Sequence, residues 1–178
     1  STAHDFKGLL KTSIRSDDPV LFVEHEMLYS LKGEVPDEEE ELLIPFGEAV
    51  VRRPGSDLTI VSWSKMVHEA SKAAEQLLEE GIDAEVIDVR TLDPFDWDTV
   101  MSSVARTRRC VVAEEGWRTL GVGAEIASRL HEALFYELDA PVGRVGAADV
   151  PLPYSKQLEQ AALPHADDIV RAALKITT

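Results

Sequence analysis

The chain has 178 residues, 44% of them hydrophobic and 29% charged, enough to bury one full core and part of a second. Its formal net charge of −15 repels phosphate backbones and anionic headgroups, which argues against nucleic acid and membrane surfaces as partners. No apolar run is long enough to span a bilayer, the first twenty residues carry charges instead of an apolar leader, and the single cysteine, Cys110, excludes an internal disulfide and points to a reducing compartment.

The first element is an amphipathic helix over Asp5–Ile14, with Phe6, Leu9, Leu10 and Ile14 on one face. Ser16-Asp17-Asp18-Pro19 stops it, and Val20–Val23 reads as a short strand. One helix and one strand enclose no core, so residues 1 to about 30 read as the end of a domain that begins upstream. Asp37-Glu38-Glu39-Glu40-Glu41, flanked by Pro36 and Pro45, reads as a solvated linker and marks a boundary.

Beyond it the pattern turns regular. Strands are expected at Glu48–Arg52, Leu58–Ser62, Ala84–Val89, Cys110–Ala113 and Val142–Ala147. Helices are expected from about Ser64, with Val67, Ala70, Ala74, Leu77 and Leu78 on one face and Gly81 as its cap, and then behind Asp96, over Gly121–Tyr136, around Ser155–Gln160 and over Asp167–Ile176. Short strands alternating with longer helices predict a three-layer α/β/α domain with a mostly parallel sheet, and the turn at Arg53–Asp57 implies one antiparallel edge strand.

The stretch Cys110–Leu130 places a Gly-x-Gly between strand and helix. Gly121 and Gly123 come eight and ten residues after Ala113, and Ile126 stands where a dinucleotide fingerprint has its third glycine, so close packing explains the pair better than a phosphate cradle. No phosphate-binding G-x-x-x-x-G-K-[ST] exists in the chain. Glu114 and Glu115 are adjacent residues leaving a strand and point in different directions, which speaks against a carboxylate dyad. The loops Ser62-Trp63-Ser64, Arg90-Thr91-Leu92 and Glu114-Glu115-Gly116 should gather at the carboxyl edge of the sheet, where α/β proteins place ligands and partners, and without a nucleophile backed by a base they read as a contact surface. His4, His25, His68, His131 and His165 have no metal-ligand spacing; His25 reads as a half-exposed structural residue and His68 as a surface residue of its helix. The end of the first helix, with free carbonyls beside Asp17 and Asp18, has donors suited to an alkali or alkaline-earth cation.

Four segments, "KGLLKTSIRSDDPVLFVEHEMLY", "LIPFGEAVVRRPGSDLTIVSWSKMVHEASKAAEQLLEEGIDAEVIDVRTLDPFD", "VVAEEGWRTLGVGAEIASRL" and "LDAPVGRVGAADVPLPYSKQLE", resemble the beta subunits of the thiamine-diphosphate-dependent 2-oxo acid dehydrogenases, and Asp149-Val150-Pro151-Leu152-Pro153-Tyr154 is most similar to the pyruvate enzymes. The resemblance implies that residues 1–30 are the tail of a pyrimidine-binding domain, 31–46 an acidic linker and 47–178 a transketolase-type C-terminal domain. It implies thiamine diphosphate and magnesium in the complete enzyme, held by an alpha subunit and by pyrimidine-domain sequence outside this chain, so no catalytic residue is named here. It further implies a structural potassium ion at Ser13, Ile14, Ser16 and Asp18, although Ser16 stands where a carboxylate is often found. The expected partners are the alpha subunit, a second beta subunit and a lipoyl acyltransferase core, the last meeting an acidic surface that includes Glu137 and Asp139. A bacterial cytoplasm or a mitochondrial matrix is the expected location. Competing readings are a stand-alone α/β binding or assembly module, a branched-chain or acetoin relative, and a nucleotide-binding domain that the glycine spacing disfavours.

Overall fold

The computed structural model describes residues 1–36 and 41–177. Helix α1 (Ala3–Arg15) leads through a 3-10 turn (Glu26–Leu28) to β1 (Val50–Arg53), β2 (Leu58–Ser62), α2 (Met66–Glu79), β3 (Ala84–Asp88), α3 (Trp97–Thr107), β4 (Cys110–Trp117), α4 (Val122–Leu134), β5 (Gly143–Ala147), α5 (Lys156–Ala162) and α6 (Ala166–Thr177). The five strands form one sheet in the order β1-β3-β2-β4-β5. Strands β2 to β5 run parallel, and β1 pairs antiparallel with β3, not with its chain neighbour β2. The turn at Arg53–Asp57 therefore carries the chain past β3 and does not close a hairpin.

Alternation along the parallel strands separates two apolar layers. Leu58, Ile60, Val86, Val111, Ala113 and Val145 face α2 and α6, where Ala70, Ala74, Leu77 and Ile169 meet them. Val61, Ile87, Val89, Cys110 and Val112 face α3 and α4, against Val100, Val104, Ile126 and Leu130. This is the expected three-layer domain. Local signals place its helices: the Asp96 carboxylate accepts the Thr99 N–H at the start of α3, and Gly81, at φ +80°, turns the chain out of α2. Leu78 does not join the buried face of α2 but is exposed, one position beyond the apolar stripe that ends in Leu77.

Two other expectations need correction. Val20–Val23 forms no strand: it pairs with no strand among the described residues, and Leu21 and Val23 are exposed. His68 is not a simple surface residue, because its ring, half-buried, is hydrogen-bonded through Nε2 to the Ser1 carbonyl at 2.9 Å. Of the acidic block, Asp37–Glu40 lies outside the described residues, while Glu41 pairs with Arg15 at 2.5 Å. Just beyond it, Ile44 is buried against Gly8 of α1, and its carbonyl accepts the Thr12 hydroxyl at 2.7 Å.

Cys110 lies in the middle of this packing with no exposure, and burial pushes its thiol well above the ordinary range. It should resist a thiol reagent at mildly alkaline pH in the native protein and react fully in denaturant; native labelling at the denatured rate would contradict the packing described.

Candidate functional site

The carboxyl edge of the sheet is built around the end of β4, which continues beyond the expected Ala113 to Trp117. Glu114, Glu115 and Gly116 are therefore strand residues instead of a loop, and pleating sends the two carboxylates to opposite sides. Glu114 turns inward and is 4% exposed. Its Oε1 accepts the Gly123 N–H at 3.1 Å in the first turn of α4 and lies 3.3 Å from the Arg144 Nη2 of β5. A Cβ at Gly121 or Gly123 would come within 2.5 and 2.6 Å of that same oxygen. The glycines are there because the carboxylate sits where an anion is favoured at a helix N-terminus. A diphosphate does not fit this turn, because the protein's own carboxylate occupies the place.

Glu115, on the other side, is 2.7 Å from His25 Nε2 and 3.7 Å from Lys65 Nζ. The Met27 N–H donates to His25 Nδ1 at 3.2 Å, so the network assigns the ring proton to Nε2, directed at Glu115. His25 is thus the half-buried structural residue expected, and it ties the segment after α1 to the end of β4.

A second cluster lies at the end of β3. Asp88, without exposure, accepts Arg52 Nη2 at 2.9 Å and the backbone N–H of Arg90 at 3.1 Å. Arg52 also pairs with Asp5 of α1, which Arg90 Nη1 approaches at 3.4 Å. Burial opposes ionisation of Asp5, but the Thr2 hydroxyl and the Arg52 and Arg90 guanidinium groups together outweigh it and hold its carboxyl below the usual 3.8. Through these contacts α1 is held at the end of β3, and the His25 segment at the end of β4. Trp63, expected at the edge, is half-buried against the α3/α4 layer. The β5 side holds a cleft of about 610 Å³ lined by Arg118, Thr119, Leu120, Arg144 and Asp149.

The residues singled out from the sequence lie elsewhere. Ser13, Ile14, Ser16 and Asp18 are at the solvent-facing end of α1, where the Ser13 hydroxyl donates to the Leu9 carbonyl at 2.8 Å and Ser16 Oγ accepts the Asp18 N–H at 3.2 Å. Asp139 sits at the amino edge; its Oδ1 accepts Arg108 Nε and Nη2 at 2.9 and 2.7 Å, and Arg109 lies 3.6 Å from Oδ2. The Arg108 bonds hold the Asp139 carboxyl below its ordinary value. Glu137 is exposed nearby. Among the described residues no group of three or more His, Cys, Asp or Glu could hold a metal ion. Sequence reasoning missed the Asp5–Arg52–Asp88 cluster and the Arg144 partnership. The signal available was a charged residue at the end of each apolar strand run, as in Val-Ile-Asp88 and Val-Ala-Glu114.

The transketolase C-terminal domain family matches residues 47–169. The chain belongs to that family. Along nearly its whole length it is also similar to beta subunits of the pyruvate dehydrogenase E1 component. It is 46% identical over 178 residues to the mitochondrial subunit of Dictyostelium discoideum, covering 99% of this chain and 50% of that protein. It is 49% identical over 174 residues to the mitochondrial beta-1 subunit of Arabidopsis thaliana (97% and 48%) and 47% identical over 175 residues to the Rickettsia felis subunit (98% and 53%). A solved structure described as a split-gene transketolase, inactive beta4 tetramer, superposes with a TM-score of 0.65 at 33% identity, over 82% of this chain and 46% of that one. The chain spans about half the length of the curated relatives it matches.

Two measurements test the site as built. Glu114→Ala leaves the Gly123 N–H without its acceptor and the Arg144 guanidinium without its carboxylate and should cost about 3 kcal/mol, read as a Tm lower by roughly 6–12 °C, while Glu114→Gln loses less. Because the folded-state Asp5 carboxyl titrates below its unfolded value, its contribution is complete above about pH 4 and disappears as pH falls through the folded value. Asp5→Asn should therefore lower Tm at neutral pH and flatten the loss of Tm under acid; an unchanged acid slope would remove Asp5 from the account.

Proposed function

We propose that these residues are the C-terminal half of the beta subunit of a pyruvate dehydrogenase first component, and that they serve subunit and complex assembly without catalysing alone. The observation that carries this reading is the 46–49% identity to such subunits along nearly the whole chain. The internal ion pairs support the division of labour: carboxylates at the ends of β3 and β4 are bound by Arg52 and by Arg144 and Gly123, so they are not presented as acid–base groups. In this reading residues 1–30 close a pyrimidine-binding domain, 31–46 link, and 47–178 form the C-terminal domain.

Thiamine diphosphate with magnesium supplies the electron sink for decarboxylation of a 2-oxo acid in the complete enzyme, and the acetyl group passes to a lipoyl domain. This chain's contribution is to hold its neighbours in place. Its helix α4, closed by Glu114, leaves no room for the diphosphate, which is assigned to the alpha subunit and the pyrimidine domain. A potassium ion is assigned to the oxygen donors of Ser13, Ile14, Ser16 and Asp18. The acyltransferase contact is assigned to the surface with Glu137 and Asp139; of the two, Asp139 is the one already held in ion pairs, by Arg108 and Arg109. A bacterial cytoplasm or mitochondrial matrix fits these assignments.

A second reading is a homo-oligomer of beta-type chains, favoured by the superposition on a beta4 tetramer. Decarboxylation of pyruvate and of branched-chain 2-oxo acids, measured with thiamine diphosphate, magnesium and an artificial electron acceptor, separates these readings. The beta chain at its natural length should be active with its alpha subunit and prefer pyruvate, and the 178 residues alone should show no turnover. Turnover by these residues alone, or preference for a branched-chain acid, would overturn the corresponding assignment.

A further inference from the structure

His131, near the end of α4, uses both of its ring nitrogens on backbone groups, and the two bonds are not interchangeable. Nδ1 lies 2.7 Å from the Ala127 carbonyl, which only accepts, and Nε2 lies 3.2 Å from the Val142 amide, which only donates. The network therefore assigns the ring proton to Nδ1 and the lone pair to Nε2, an arrangement open to the neutral imidazole alone. A second proton would turn an N–H toward the N–H of Val142, and that bond would break. Val142 is buried in the α3/α4 layer just ahead of β5, where an amide without an acceptor is costly.

The same bond closes a strap, residues 135–142, between α4 and β5. The Leu134 carbonyl accepts the N–H groups of Glu137 and Leu138 at 2.9 and 3.0 Å, and the Asp139 N–H donates to the Arg108 carbonyl at 2.9 Å. Phe135 and Tyr136 stand exposed on the strap, while Leu138 and Val142 pack inward. Two side-chain clamps hold it, the Arg108–Asp139 pair and the His131–Val142 bond. Only the second contains a group of the kind that titrates near neutral pH, since an imidazole ordinarily takes up its proton at about pH 6.5. The Arg108 bonds keep the Asp139 carboxyl below its ordinary value, so that clamp stays charged throughout the same range.

No carboxylate among the described residues is paired with the His131 ring to favour an imidazolium in place. On α4 itself Glu125 pairs with Arg129, and Glu132, beside His131 in the chain, is exposed. On α3 Arg106 is held by Glu85, and Asp98 lies in the first turn. On β4 and β5 Glu114 holds Arg144, and Glu115 faces His25 and Lys65. Glu137 is exposed on the strap. The last turns of α4 attract a proton through the helix dipole whereas the Val142 N–H opposes it, so the proton is favoured once that bond has opened. We infer that His131 is a proton-operated clamp: neutral, it pins the strap to the start of β5, and protonated, it releases Val142 and loosens residues 135–142. The strap carries Glu137 and Asp139, so, resting on the proposed function, mild acid weakens the contact with the acyltransferase core.

The test is amide hydrogen exchange of residues 135–147, read by mass spectrometry on the chain at its natural length and corrected for the chemical pH dependence of exchange. Between about pH 7.5 and about pH 5.5 the parent should lose protection in this segment by about tenfold or more. His131→Gln, whose amide can donate to Ala127 and accept from Val142 but does not titrate, should keep the same protection at both pH values. His131→Phe, with no acceptor, should be open at both, and Tm shows that each variant has folded. Protection in the parent that does not change with pH, or an equal loss in His131→Gln, overturns the clamp. Binding to the acyltransferase core at the same two pH values tests the consequence separately. Affinity that falls by about threefold or more in the parent and not in His131→Gln supports it, and constant affinity while the segment opens overturns it. A parent that binds no acyltransferase at either pH overturns the proposed partner, and the clamp is then decided by exchange alone.

Discussion

The arrangement of the carboxyl edge depends on one buried carboxylate. Glu114 ends the apolar run of β4 and enters the first turn of α4, where the helix dipole and unsatisfied N–H groups favour negative charge. An α/β domain commonly leaves that position to a ligand's phosphate. Here the strand supplies the anion, and the glycines at 121 and 123 are required by the approach of its oxygen. The same carboxylate fixes Arg144, whose other amino contact is the Arg118 carbonyl, so one charge positions α4, β5 and the loop between β4 and α4.

The ion pairs at the ends of β3 and β4 are better understood as register devices than as sources of net stability. Taking Asp88 and Asp5 out of water costs several kcal/mol each by general experience, and pairing with Arg52 and Arg90 does little more than return it. What the pairs exclude is every other placement of α1, since a displaced helix would leave buried charges unmatched. An apolar contact such as Ile44 against Gly8 tolerates sliding; a carboxylate between two arginines does not. The N-terminal segment is therefore held in one orientation by a few charges, although Leu21 and Val23 remain exposed.

The layered core was legible because each parallel strand is a continuous apolar run and each helix carries an apolar stripe, patterns that depend only on local periodicity. Leu58–Ser62, with all five residues buried, coincides with its expected bounds. Val20–Val23 has the same local composition and fails as a strand, because strand formation needs a hydrogen-bonding neighbour that composition does not report. The end of β4 was misread for a related reason: Glu114 and Glu115 look like a polar loop, yet pairing of Trp117 with Ala147 of β5 keeps the backbone extended beneath them. Sequence showed that the two glutamates diverge but not where they go. Their partners, Arg144 and His25, are 30 and 90 residues away. The cleft was invisible for the same reason, since Arg118 and Arg144 meet only after β4 and β5 have paired.

These features divide one sheet edge into two physical regimes. On the β3 side, charges are matched within the chain and hold the protein's own helix α1 in place. On the β5 side, a guanidinium that makes no ion pair among the described residues stands beside an exposed leucine with a left-handed backbone and two exposed aromatic rings. An edge that had to bind a small anion would keep its helix N-terminus free and its rim polar. This edge fills its helix N-terminus with Glu114, so a small anion does not find there the free amides that such a site would offer it.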